Sequence, residues 1–382
     1  MNPIYLDHNA TTALDPAVRD EMMPWLGGTP GNPSSIHSFG QEARRAIDKA
    51  RAQAARLIGA KPEELIFTSG GTEANNLAIL GAVAASGKSS PRLVTTSIEH
   101  QAVVSPCRQV ERTGGTVAWM PVDKNGLFRL EEAISLLTSD TLLLSVMLAN
   151  NDIGTIQPVG ELSDSARGLG ILLHTDAVQA VGKIDVDVNR LGVDLLSFSG
   201  HKLYGPQGIG VLYVRKGTRL SPLTFGGHQE RELRPGTESI AGIVGLGRAC
   251  ELARKRLAAD AARMEALRSS FEAAILDRVA GTTINGLGAL RLANTSNLSF
   301  EGLDGEALVI NLDLMGLAAS TGAACSSAQN EPSHVLTAMG RSLAEARSSV
   351  RFSFGRDNSD EDLAVAIDLV AQAVQRIREH RR

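Results

Sequence analysis

The stretch LLSFSGHKLYGPQGIGVLYV, residues 195–214, carries the reading of the fold. It opens on a short apolar run, 195–198, and closes on another, 210–214. Runs of this length, bounded by glycine and proline, read as buried strands rather than helices. Between them stand the small residues Ser199 and Gly200, then Lys202, then Gly205 and Pro206. A lysine just past the carboxyl end of a buried strand stands where α/β folds bind ligands. Most lysines are solvated, so taken alone Lys202 reads first as an ordinary loop residue.

Working outward, further short apolar runs lie at 65–67, 93–95, 116–120, 142–148 and 171–173. Helical patterns at 130–137 and 159–169 separate several of them. Upstream, Ala43, Ile47, Ala50, Ala54, Leu57 and Ile58 recur at helical spacing until Gly59 and Pro62. Such alternation predicts an α/β chain with a mainly parallel sheet covered on both faces. Near residue 245 the pattern changes. A long charged helix is expected over 249–279, strands at 297–300 and 350–354, and an amphipathic helix over 360–379. These form a smaller α+β unit. With no repeat, low-complexity tract or long linker, the two units are expected to pack closely around a cleft.

A length of 382 residues suffices for two domains, and 43% hydrophobic with 21% charged residues is ordinary globular composition. A formal net charge of -4 points away from nucleic acid or an anionic membrane surface as the main partner. The longest apolar stretch, near 142–149, is too short to span a bilayer. The opening MNPIYLDHNATT has neither a basic region nor an apolar core, so no signal peptide is expected. Cys107, Cys250 and Cys325 form no CxxC pair, which argues against a disulfide scaffold and for a reducing cytoplasm. GAVAASGKSS, residues 81–90, resembles a phosphate-binding loop but has one residue too many between its glycines and lies at a helix end. No GxGxxG follows a strand, and the eight histidines lack metal-ligand spacing.

Five signals fall at successive strand ends. FTSGGTEANN, residues 67–76, reads strand, turn, helix, with the N–H groups of Gly71 and Thr72 facing an anion. A helix cap explains it equally well. His100 follows the run 93–95 and could stack on a flat ring, although a lone histidine is more often structural. Asn151 follows the run 142–148, where a plain turn is the alternative. Asp176 ends ILLHTD, with an N-cap role about as plausible. Gln179 lies three residues on. Together with Lys202 these are the needs of a pyridoxal-phosphate site: a Schiff-base lysine, a carboxylate for the ring nitrogen, donors for the phosphate and phenolic oxygen, and a group against the ring. One shared cofactor explains their order better than five unrelated local roles.

These motifs together resemble the NifS/IscS-type cysteine desulfurases of the class V aminotransferase group. YLDHNATT (5–12), GNPSSIH (31–37), FTSGGTEANN, IEH (98–100), ANNDIGTIQP (149–158), HTDAVQAVGK (174–183), SFSGHKLYGPQGIG (197–210), GGHQERELRPGTES (226–239) and RFSFGR (351–356) carry the similarity over nearly the full length. Asp152 stands where glutamate is usual, and His228 where glycine is. The resemblance implies a fold-type I pyridoxal-phosphate transferase, with a large domain (16–250) built on a mainly parallel seven-stranded sheet. Residues 1–15 and 251–382 would form the small domain. It implies Lys202 as the Schiff-base lysine and Asp176 on the pyridine nitrogen. Asn151 and Gln179 would meet the phenolic oxygen, and His100 would stack on the ring and donate protons. Gly71, Thr72, Ser199 and His201 would hold the phosphate, with Thr237 reaching the phosphate of the other subunit of a homodimer. Arg351 would grip the substrate carboxylate with Asn32 nearby.

Cys325 decides the implied activity. It lies in STGAACSSAQNEPSHVL, residues 320–336, where 322–328 has almost no side chain to pack, so a mobile segment is expected. The resemblance implies that L-cysteine becomes L-alanine while sulfur passes to Cys325 as a persulfide, then to an acceptor such as an iron–sulfur scaffold. No metal is implied in the free enzyme, although Cys325 could ligate a cluster in a partner complex. Selenocysteine lyase, cysteine-sulfinate desulfinase and transamination are alternatives on the same scaffold. A non-catalytic sulfur-relay or scaffold-binding protein is the alternative from another class.

Overall fold

The computed structural model describes residues 3–28, 30–321 and 332–380. Cys325, in segment 322–331, lies outside the described residues. The strands in chain order are β1 (Ile4–Tyr5), β2 (Leu65–Thr68), β3 (Arg92–Thr96), β4 (Thr116–Met120), β5 (Thr141–Ser145), β6 (Leu172–Asp176), β7 (Leu195–Ser199), β8 (Gly210–Val214), β9 (Thr282–Ile284), β10 (Thr295–Phe300), β11 (Leu317–Ala318) and β12 (Ser349–Ser353).

Seven of these make the central sheet, in the order β2-β8-β7-β6-β5-β3-β4. All are parallel except β8, which runs antiparallel to both neighbours. The cause lies in the opening stretch. A parallel crossover needs a dozen or more residues, and residues 200–209 are too few, so the chain turns straight back. Lys202 sits in that return.

Successive residues of each strand feed opposite cores, as the two-residue strand period requires. Val94, Leu144, Leu196 and Val211 pack with Ile47, Ala50 and Leu246 on one face. Leu93, Leu143, Leu195 and Leu212 pack with Leu77, Val103 and Cys107 on the other. Both faces are therefore covered, which is why the strands read as unbroken apolar runs. A third core joins Ile4 and Leu6 to Phe271, Phe300, Phe352 and Phe354 around the antiparallel sheet β12-β10-β9. Cys107 and Cys250 are buried in helices, and burial pushes the Cys107 thiol up to about 12. Among the described residues, no helix is long and apolar enough to cross a membrane.

Candidate active site

A cavity of about 300 Å³ opens at the carboxyl ends of β6 and β7. Its lining brings together Gly71, Thr72, His100, Asn151, Asp176, Gln179, Ser199, His201, Lys202 and Arg351. Asn32 and Thr237 are exposed and outside that lining, and Asn32 Oδ1 instead accepts from the Ser34 N–H at 2.9 Å.

Lys202 ends a short helical turn, Gly200–Lys202, directly after β7. Its Nζ donates to the carbonyl oxygens of Asn9 and Ala10, both at 2.5 Å. Two residues on, Tyr204 holds φ at 62°, a strained region for an aromatic residue. The surroundings fix it there. Its N–H donates to Thr12 Oγ1 at 2.8 Å, its hydroxyl accepts from the Arg356 N–H at 2.8 Å, and the Arg356 guanidinium lies 3.5 Å from the ring centre.

Asp176 closes β6 and is buried. Its Oδ2 accepts from Asn75 Nδ2 at 2.7 Å and its Oδ1 from the Val178 N–H at 2.9 Å. Burial raises its pKa, while His100, the Val178 N–H, Asn75 and Lys202 oppose the rise. No ion pair engages this carboxylate among the described residues. A buried carboxylate in that condition suits a cationic nitrogen in the cavity.

At the other end lies the start of the helix Gly71–Ser86, whose N-cap, Gly70, supplies no side-chain cap. Its first N–H groups and the positive end of its dipole suit an anion. Ser199 lies beside the same end, a Cβ on Gly71 standing 3.8 Å from Ser199 Cβ, and His201 lines the same cavity. Burial, then Lys202 and Lys183, lowers the His201 pKa to about 4, so it stays neutral at pH 7. His100 caps the helix Gln101–Arg112, its Nδ1 accepting from the Ala102 N–H at 3.0 Å. An accepting Nδ1 leaves the ring proton of the neutral form on Nε2.

Arg351, buried in β12, donates to Asp7 Oδ1 at 2.7 Å and the Asn151 carbonyl at 3.1 Å, and lies 3.6 Å from Asp152 Oδ1. The flanks of segment 322–331 reach Arg351 and its neighbour Asp152. On the entry side, Ser320 and Arg351 exchange backbone hydrogen bonds. On the exit side, Ser333 Oγ donates to Asp152 Oδ2 at 2.7 Å.

Three residues were missed as contributors. Asn9 is a hub: its carbonyl accepts from Lys202 and Gln179, its Oδ1 from Lys183 and Asn294, and its Nδ2 donates to Asn151 O and Thr295 Oγ1. Asn75 holds Asp176, and Lys183 holds Gln179. Asn75 lies one turn into the helix that Gly71 opens, a position that could have flagged it, whereas Lys183 follows Gln179 through turns outside any helix. Nothing local marks Asn9.

The chain matches the family profile "Aminotransferase class-V" over residues 4–365. It is 46% identical to "Cysteine desulfurase IscS" of Dictyoglomus turgidum, covering 98% of this chain and 95% of that one. Among solved structures it resembles "NIFS-LIKE PROTEIN", with a TM-score of 0.92 and 36% identity over 98% of this chain and 99% of the other. It also resembles "SspA in complex with cysteine", with a TM-score of 0.83 and 35% identity over 93% of this chain and 100% of the other.

Proposed function

The chain belongs to the aminotransferase class-V family, and from that premise we propose that it is a pyridoxal-phosphate-dependent cysteine desulfurase, converting L-cysteine to L-alanine and retaining the sulfur on its own thiol. The α/β architecture is that of a fold-type I pyridoxal-phosphate enzyme. When bound, the cofactor supplies an electron sink for the bonds at the substrate α-carbon.

The chain's own residues divide the remaining work. Lys202 Nζ anchors the cofactor and, once freed, carries the α-proton. Asp176 keeps a proton on the ring nitrogen, a role supported by its burial and by the absence of an ion pair to it among the described residues. Asn151 and Gln179 donate to the phenolic oxygen. His100 lies against the ring and donates from Nε2. Gly71, Thr72, Ser199 and His201 hold the phosphate. Arg351 takes the substrate carboxylate in its guanidinium fork, in competition with Asp7 and Asp152. The Cys325 thiolate attacks the substrate sulfur: an S–S bond forms, the C–S bond breaks, and the electron pair left on carbon is protonated as alanine forms.

One observation carries this reading: one flank of the Cys325 segment pairs with the Arg351 backbone and the other bonds Asp152, 3.6 Å from the Arg351 guanidinium that lines the cavity of Lys202 and Asp176. A substrate held by its carboxylate at Arg351 therefore lies close to the point from which that segment departs. The large domain spans residues 16–250 and the small domain 1–15 and 251–382. Two chains form a homodimer in which Thr237 reaches the partner's phosphate, and Asn32 lies close to the substrate carboxylate. Sulfur leaves Cys325 for an acceptor protein such as an iron–sulfur scaffold, in the cytoplasm. The test is product analysis of purified holoenzyme given L-cysteine and a thiol reductant. Alanine and sulfide in equal amounts are expected, and pyruvate or no product overturns the proposal.

A further inference from the structure

Lys183 is buried, yet it lies outside the cavity lining and has no part in the chemistry above. Its Nζ donates to Gln179 Oε1 at 2.6 Å and to Asn9 Oδ1 at 3.0 Å. Burial is costly for an ammonium, and it lowers the Lys183 pKa well below 10.5, with Lys202 and Arg351 adding to the effect. The nearest hollow, of about 20 Å³ and about one water in size, is lined by Lys183, Lys202, His8, Asp260 and Asn294. A lysine is an expensive way to fill space at such a place.

We propose that Lys183 is a positioning residue that fixes the orientation of the Gln179 amide, so that Gln179 presents a hydrogen-bond donor to the cavity. The argument rests on the donor inventory. A glutamine amide offers oxygen at one end and NH₂ at the other, and its contacts alone decide which way it faces. A lysine ammonium donates only, and the Asn9 carbonyl facing the other end only accepts, so the atom 2.6 Å from Lys183 Nζ is the oxygen. The NH₂ end then faces the Asn9 carbonyl, which takes one hydrogen at 2.9 Å. The second hydrogen is left for the cavity that Gln179 lines. A reversed amide would turn an oxygen toward the cavity and repel an anionic phenolic oxygen. Through Asn9 the same lysine also bears on Lys202, since the Asn9 carbonyl accepts from both Gln179 and Lys202.

This inference rests on the cofactor reading above, and the two fail differently. The experiment is a pH titration of the visible absorbance of the cofactor bound through Lys202, in holoenzyme without substrate. A donor at the phenolic oxygen favours its ionised form. Lys183→Met is therefore expected to raise the midpoint by about one pH unit, tenfold in the proton equilibrium. Gln179→Ala is expected to raise it similarly, and the double variant to match Gln179→Ala alone. A wild-type midpoint in Lys183→Met, or additive shifts in the double variant, overturns the proposal. Lys183→Ala repeats the test if the Met variant does not fold. A chain that folds with neither substitution assigns Lys183 to stability alone and also overturns it. Wild-type protein with no visible band would instead sink the cofactor reading.

Discussion

Glu99 and Asp176 are both buried carboxyls with raised pKa values, and their surroundings give them different work. Glu99 Oε1 accepts from Thr96 Oγ1 at 2.6 Å and the Met147 N–H at 2.9 Å, whereas its Oε2 has no hydrogen-bond partner among the described residues. Burial lifts its pKa to about 8, so it is protonated at pH 7. Between the ordinary value of 4.5 and about 8 the native state holds a proton that the unfolded chain has lost. Stability therefore falls as pH rises across that window and levels off above it. Glu99→Gln keeps the Oε1 contacts and removes the titration, so denaturant unfolding between pH 5 and 8 should show a flatter slope; an unchanged slope refutes the assignment. At Asp176, by contrast, the proposed role needs the charge. Asp176→Asn should leave the cofactor-free protein at least as stable, because the buried charge is gone, while shrinking the rise in Tm on adding cofactor. Turnover should drop by about 10²-fold or more, within the range of a lost proton-holding group. Cys325→Ala should abolish sulfur release from cysteine and leave the cofactor absorbance intact. Undiminished turnover would remove Cys325 from the mechanism.

At the scale of elements, the site depends on two backbones meeting without side chains. A Cβ on Gly210, at the start of β8, would lie 2.5 Å from the Gly70 carbonyl carbon. That contact seats the turn before the helix Gly71–Ser86 on the sheet, and backbone cannot yield as a flexible side chain can. Gly210→Ala should cost about 1–3 kcal/mol, as overpacked sites do, and weaken cofactor affinity along with it. Denaturant unfolding and cofactor titration of the same protein check both effects. Element boundaries also show where pattern reading runs out. The apolar run 142–148 suggested one strand, yet β5 is Thr141–Ser145. Residues 146–149 stay apolar because they are buried under the site, with Val146 and Leu148 bonded to backbone at His174 and Asp176. The pattern at 159–169 divides into the turn Val159–Leu162 and the helix Ser163–Gly168. The long helix begins at Ile240, earlier than the 249 expected, because Gly242, Gly245 and Gly247 disguise its first turns. Gly247 has a packing reason, since a Cβ there would lie 2.5 Å from Ala50 Cα.

At the scale of the whole molecule, the loop carrying Thr237 is held in a costly shape. Glu230, Arg231 and Glu232 have φ of 44°, 57° and 64°. A buried clamp holds them: Glu230 accepts from Arg51 at 2.9 and 2.5 Å and from the Phe67 N–H at 2.8 Å. Strain maintained this way, with Thr237 left exposed, fits a loop shaped for a partner subunit. Mixing two defective proteins tests that. Under the proposed homodimer, Lys202→Ala alone should be inactive, and Thr237→Ala should bind cofactor more weakly. Mixed dimers should contain one site with both residues intact, restoring wild-type cofactor affinity and activity there. No recovery on exchange means that each site is built within one chain.

The order of strands and helices, the buried sheet and the strand-end positions of Asp176 and Lys202 were all set by local sequence. Periodicity, turn residues and loop length act over a few residues and can be read in a row. The return at 200–209 is the clearest case: its shortness alone reverses β8 and places Lys202. The charge network around the site is different in kind. Arg351 meets Asp7 across a separation of 344 residues, Lys183 meets Asn9 across 174, and Lys202 meets Asn9 across 193. No pattern along the chain encodes those meetings, since they arise only when the N-terminal segment packs between the sheet and β12. Whether a buried lysine is an anchor or a support, and which end of a glutamine faces the cavity, is decided by partners that only the folded chain supplies.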